Sequence, residues 1–186
     1  MQFKRALETA TFVVIALWLI HAVNWLIPFD LRSFGIRPRS LNGLVGIVGA
    51  PLLHGNLNHL IANTSALIVL LTVALAYSRK LVVRALSIII VFGGLMVWAY
   101  GSASAIHIGA SGLVFGYAGF LLVAGFVEKS IRGVAVSVIV GGLFGGMVLR
   151  GITPVSTDVS WEGGLWGLAA GVVGGVGVGS RVGGRG

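Results

Sequence analysis

Ten residues, His54-Gly-Asn-Leu-Asn-His59-Leu-Ile-Ala-Asn63, open a stretch otherwise apolar enough to cross a bilayer. Two imidazoles and an amide are costly to solvate in hydrocarbon, and intramembrane groups of this kind mark functional sites. His59 and Asn63 stand four residues apart, a helical spacing that lets both point donors at one spot. His54 falls off that face and reads as support for the adjoining loop. A second apolar stretch opens on Gly109-Ala-Ser111-Gly112, a hydroxyl set among small residues. A serine hydroxyl is a weak nucleophile at neutral pH and needs a neighbouring base to take its proton. Ser111 is either such a nucleophile in a polar chamber or a small residue making a helix-start hydrogen bond. Local sequence leaves both open.

The elements that must position these groups follow from composition. Of 186 residues, 56% are hydrophobic and 10% charged, with a mean hydropathy of +1.01. A soluble domain cannot hide that much apolar surface, so the class is an all-α, polytopic membrane protein. Apolar windows near 8–28, 57–77, 85–101, 111–127, 134–150 and 161–179 predict six transmembrane helices. The first is of full-span length with no cleavage site behind it, and it reads as retained. Between the first two spans, 29–56 holds an apolar run, Leu44 to Leu53, too short to cross and therefore re-entrant or interfacial. Residues 1–179 read as a single membrane domain and 180–186 as a short, disordered basic tail near anionic lipid heads.

The net charge of +8 does not point to nucleic acid, because the basic residues sit in short clusters between apolar segments rather than in a stripe with interleaved aromatics. With the N-terminus cytoplasmic, nine Lys and Arg lie inside (Lys4, Arg5, Arg79, Lys80, Arg84, Lys129, Arg132, Arg181, Arg185). Four lie outside: Arg32, Arg37, Arg39 and Arg150. That asymmetry predicts both termini on the cytoplasmic side. Trp25, Trp98, Tyr100 and Trp161 then fall near the outer interface.

In this topology spans two, four and six all begin at the outer face. The first turns carrying His59 and Asn63, Ser111, and Trp161-Glu162-Gly163-Gly164 therefore share one layer. Gly163, Gly167, Gly171, Gly175 and Gly179 recur every four residues along the last span, and Gly112, Gly116 and Gly119 mark the fourth. Small residues at that spacing let helix backbones approach closely in lipid. Gly141-Gly142 and Gly145-Gly146 read as packing alone.

These residues carry a resemblance. His-x4-His-x3-Asn at His54, His59 and Asn63, Gly-x-Ser-Gly at Gly109, Ser111 and Gly112, and the small-residue repeat of the last span resemble a bacterial rhomboid intramembrane serine protease of the minimal six-helix type. The resemblance implies a serine endopeptidase acting on transmembrane substrates, with Ser111 as nucleophile. It further implies an oxyanion hole from His59, Asn63 and the Ser111 backbone N–H, where one donor is typically worth about 2.7–4 kcal/mol in the transition state. The plain alternative for His59 and Asn63 is an interhelical clamp, worth about 0.6 kcal/mol on average. The family's last-span pattern is His-x2-Gly-x3-Gly. Gly167 and Gly171 fit its glycines, and the place of the histidine base is taken by Gly164. Phe115 stands where the family often packs an aromatic ring beside that base; here ordinary packing is expected of it.

Three groups come up as substitute bases. His107 precedes Ser111 by four residues, across Gly109. Glu162 is expected to face the interface, and His59 would have to vacate the oxyanion site. Deleting the base costs on the order of 10⁶ in turnover in soluble serine proteases, so Gly164 implies an inactive or strongly impaired enzyme. Glycine there is also expected to leave a void of imidazole size. The alternative function is a non-catalytic pseudoprotease that binds transmembrane client helices. A transporter is disfavoured, since spans two to six lack charged midplane residues and no inverted repeat is visible. No cofactor is expected. Four scattered histidines give no metal site, no cysteine is present for disulfide or thiol chemistry, and His21 reads as an interhelical hydrogen-bonder. The expected partners are membrane lipid and transmembrane segments, and the expected location is a bacterial inner membrane.

Overall fold

A computed structural model describes residues 2–153 and 160–182, with side chains to 177. Six long helical passages and a chain of short turns account for them. Helix α1 spans Gln2–Leu26. Helix α2 spans Leu57–Ile88 and continues through a π-helical turn, Ile89–Gly93, into α3, Gly94–Tyr100. Then come α4, Ser111–Glu128, α5, Ile131–Gly151, and α6, Trp161–Val182.

The predicted gap between the second and third spans shrinks to one residue. Ser78 alone is non-helical, at φ −164° and ψ 109°, and the chain turns back on itself there. Ala76, just before it, accepts from the Arg132 guanidinium beside the α4–α5 turn at 3.0 Å. Past it, Ala85 packs near Gly174 and Gly93 near Gly167, so the chain climbs back along α6. The 44-residue stretch Leu57–Tyr100 thus holds two crossings. With α1, α4 and α5 also long and apolar enough to span, the protein is a multi-pass, helical integral membrane protein. The last helix runs to Val182, past the expected end at 179; residues 183–186 of the expected tail lie outside the described residues.

Helix α4 is the hub. Val114, Tyr117, Phe120 and Leu121 are buried along it, and its most extensive partner is α6. The two helices meet through glycine. A Cβ at Gly167 or Gly171 would overlap the backbone carbonyl of Gly112 or Gly116, and one at Gly119 would come within 2.7 Å of the Leu168 carbonyl. Close contact without side chains is how helices associate where lipid removes the hydrophobic drive. The paired glycines in the middle of α5 differ from expectation: among the described residues, Gly142, Gly145 and Gly146 have nothing within 4 Å of a Cβ, and of the four only Gly141 approaches a neighbour, the Leu122 side chain. The pattern that builds the α4–α6 seam leaves an open face on α5.

The long connection after α1 folds as short helical turns at Leu31–Phe34, Leu41–Val45, Gly46–Gly49 and Ala50–Leu52. Asp30 caps the first, accepting from the Arg32 backbone at 2.9 Å, and the Arg32 guanidinium beside it holds its carboxyl below the usual value. Arg32 also reaches the Gly55 carbonyl at 3.3 Å, pinning the loop to the entry of α2. Farther on, Ile36 and His107 exchange backbone hydrogen bonds of 2.9 Å in each direction. The connection is thereby fastened to the 101–110 segment that feeds Ser111.

Candidate active site

Ser111 is the first residue of α4 and is buried. It borders a cavity of about 50 Å³ together with His107, Ser160, Gly163 and Gly167, under an apolar wall that includes Ile36, Ile89 and Val97. A Cβ built on Gly163 would lie 3.5 Å from the Ser111 Oγ, so the opening turn of α6 stands against the hydroxyl. Three segments distant in sequence meet here: the starts of α2, α4 and α6.

The approach to Ser111 requires glycine. Gly109 has φ +118°, a conformation other residues rarely adopt. A Cβ there would stand 2.6 Å from the His59 Nε2 and 3.3 Å from the Asn63 Nδ2. Both nitrogens are buried, and neither has a hydrogen-bond partner among the described residues. Unpaired buried polar atoms are costly, and two of them flank the same turn. Asn63 Nδ2 is a donor, and His59 Nε2 is one in the tautomer that protonates it; such a pair can stabilise an anionic oxygen placed between them.

His54 supports this turn. Its Nε2 accepts from the Ala110 backbone N–H at 3.4 Å, and its ring meets that of His59 edge-on, with centroids 5.3 Å apart. Because Nε2 accepts that bond, it carries the lone pair of the ring. His21 departs from expectation: its Nδ1 is buried without a partner among the described residues.

Position 164 corrects a second expectation. Among the described residues, the space a Cβ would enter there is already occupied. A Cβ on Gly164 would come within 2.6 Å of the Gly151 carbonyl oxygen and 3.5 Å of the Phe115 ring. Gly151, at the end of α5, is in turn pressed so closely on the Phe115 ring that a Cβ there would overlap it. The last turn of α5 and Phe115 therefore close the space beside position 164.

Sequence reasoning placed Glu162 at the interface, but it is buried. Its carboxylate accepts from the Ser102 N–H at 3.3 Å and the Ser160 hydroxyl at 3.2 Å. Ser160 Oγ lies 2.7 Å from the Nδ1 of buried His107, whose Nε2 faces the Ser102 carbonyl at 3.1 Å. Ser160 also accepts from the Gly163 N–H at 3.1 Å, in the manner of a helix N-cap. Ser160 went unnoticed in the sequence. The available signal was a serine three residues before the Gly163 N–H at a helix start. Among the described residues no group of three or more His, Cys, Asp or Glu is arranged to hold a metal.

Comparison with known proteins agrees with this architecture. Residues 42–181 match the Rhomboid domain family. Uncharacterized proteins of Mycobacterium bovis and Mycobacterium tuberculosis are 40% identical over 171 residues, covering 88% of this chain and 70% of theirs. A similarly uncharacterized Mycobacterium leprae protein is 41% identical over 170 residues, covering 84% of this chain and 65% of that one. No solved structure matches. The domain match takes in all three helix starts that meet at Ser111, from His54 to Gly171, and the chain belongs to the rhomboid family.

Proposed function

We propose that this chain is a rhomboid-type intramembrane endopeptidase in architecture whose Ser111 chemistry is disabled. The observation that carries the reading is the Gly151 carbonyl, 2.6 Å from where any Cβ at position 164 would sit. Ser111 has neither a base at that position nor room for one. Its Oγ makes no hydrogen bond to a described residue, so nothing there takes the proton that attack on a peptide bond must release. Losing the base on the scale of soluble serine proteases, about 10⁶ in turnover, corresponds to about 8 kcal/mol of barrier. His59, Asn63 and the Ser111 N–H would remain as oxyanion donors, with Gly109 and Gly112 shaping the turn around them.

A second reading is favoured by the unpartnered His59 and Asn63 nitrogens. The same site would bind transmembrane client segments without cleaving them, the orphaned donors pairing with exposed carbonyls of an unwound client. The Lys and Arg asymmetry supports cytoplasmic termini, and the mycobacterial relatives support a bacterial inner membrane. The test is a reporter single-pass substrate reconstituted with the protein in liposomes. The expected result is no Ser111-dependent cleavage, with photocrosslinking of the substrate to probes placed near Leu113. Cleavage that disappears in Ser111→Ala would overturn the reading.

A further inference from the structure

Across the cavity from Ser111, we infer that Ser160 and His107 form a second nucleophile–base pair, able to take a short acyl group from an ester. The inference is independent of Ser111 and of what occupies position 164. Its basis is hydrogen-bond logic. The Ser102 carbonyl, 3.1 Å from His107 Nε2, can only accept, so Nε2 carries the proton. In neutral imidazole the other nitrogen then holds a lone pair; the single Ser160 proton, which has the Glu162 carboxylate at 3.2 Å as its other acceptor, passes to Nδ1 when it turns to that nitrogen, 2.7 Å from the Oγ. A nucleophile, a base within hydrogen-bond reach and a third group orienting the base are the working parts of nucleophilic catalysis.

The surroundings suit the chemistry. His107 and Ser160 both line the cavity that Ser111 borders, with Ile36 and Val97 among its apolar walls. A Cβ on Gly163 would be 3.6 Å from the Ser160 Oγ and 3.5 Å from that of Ser111; with glycine there, the space between the hydroxyls stays open. Glu162 shares both Ser160 and Ser102 with the imidazole, placing negative charge beside the imidazolium that attack creates. Ser160 caps α6, so its developing oxyanion sits at the positive end of that helix. The competing role is structural: the same bonds latch the start of α6 onto the 101–107 loop.

The step balances as follows. Ser160 gives its proton to His107 Nδ1 while its Oγ bonds to the acyl carbon. The ester C–O bond breaks, and the departing alkoxide takes the proton from Nδ1. Water then attacks the acyl-serine, passing one proton through Nδ1 back to Ser160 and releasing the carboxylic acid.

The experiment treats the full chain, in detergent and in liposomes, with methanesulfonyl fluoride and diisopropyl fluorophosphate, mapping the adduct by mass spectrometry. p-Nitrophenyl acetate hydrolysis is followed in parallel. The expected result is an adduct on Ser160. Its rate of formation should fall by about 10²–10⁴ in His107→Gln, the range a general base supplies. Ser160→Asn keeps a capping acceptor but should abolish labelling while leaving Tm near that of the parent, which a merely structural role does not predict. An adduct on Ser111 instead, no adduct with either reagent, or labelling indifferent to His107→Gln would overturn the inference. Because the adduct is read by position, its failure is distinct from any result on Ser111-dependent peptide cleavage.

Discussion

Gly164→Ala isolates the closed wall at the base position. The added methyl would meet the Gly151 carbonyl oxygen at 2.6 Å, roughly 0.8 Å short of ordinary contact at 3.4 Å. The obstacle is backbone at the end of α5, and it cannot rotate away as a side chain would. Overpacking of this kind costs about 1–3 kcal/mol. Replacing glycine by alanine inside a helix gains about 1 kcal/mol of propensity, which would mask part of the loss. Gly145→Ala supplies the reference, because no described residue lies within 4 Å of a Cβ there. The difference between the two variants removes the propensity contribution and leaves about 1–3 kcal/mol against Gly164→Ala. Gly171→Ala should be worse than either, since its Cβ would overlap the Gly116 carbonyl. The assay is reversible unfolding in mixed micelles, followed by tryptophan fluorescence. Equal stability of Gly164→Ala and Gly145→Ala would mean that the space at 164 is open, and the account of a sealed base position would fail.

Gly109→Ala should be strongly destabilising, as it combines a left-handed φ of +118° with a Cβ 2.6 Å from His59 Nε2; a parental melting curve would refute this. His54→Phe keeps the ring but strands the buried Ala110 N–H, an expected loss of about 1–3 kcal/mol measurable by the same unfolding assay. Ser137→Ala removes the 2.8 Å bond from Ser137 to the Leu121 carbonyl that ties α5 to α4. Interhelical bonds of this type average about 0.6 kcal/mol in membranes, so a shift well beyond about 1.7 kcal/mol would show that more than this bond was lost.

Much of the site was legible because its residues announce themselves against an apolar background. His59, Asn63 and Ser111 stand at helix starts whose depth follows from alternating direction, and the glycine repeat named the α4–α6 seam before any coordinates. The α5 glycines show where that logic stops. Gly142, Gly145 and Gly146 have the composition of a packing face but meet nothing among the described residues, because spacing tells which residues share a face and not whether a neighbour lies opposite.

The sequence by itself determined the class, the six apolar passages, the layer where the polar residues gather and the absence of a histidine at position 164. Each depends on hydrophobic period or residue type, which the chain carries locally. Tertiary structure alone decided that position 164 is walled by the Gly151 carbonyl and Phe115, and that His107 turns to Ser160 rather than to Ser111. It also decided that Glu162 is drawn inward. Those outcomes depend on the path of a loop and the end of a neighbouring helix. Backbone brought close by folding from thirteen or more residues away has no signature in local sequence.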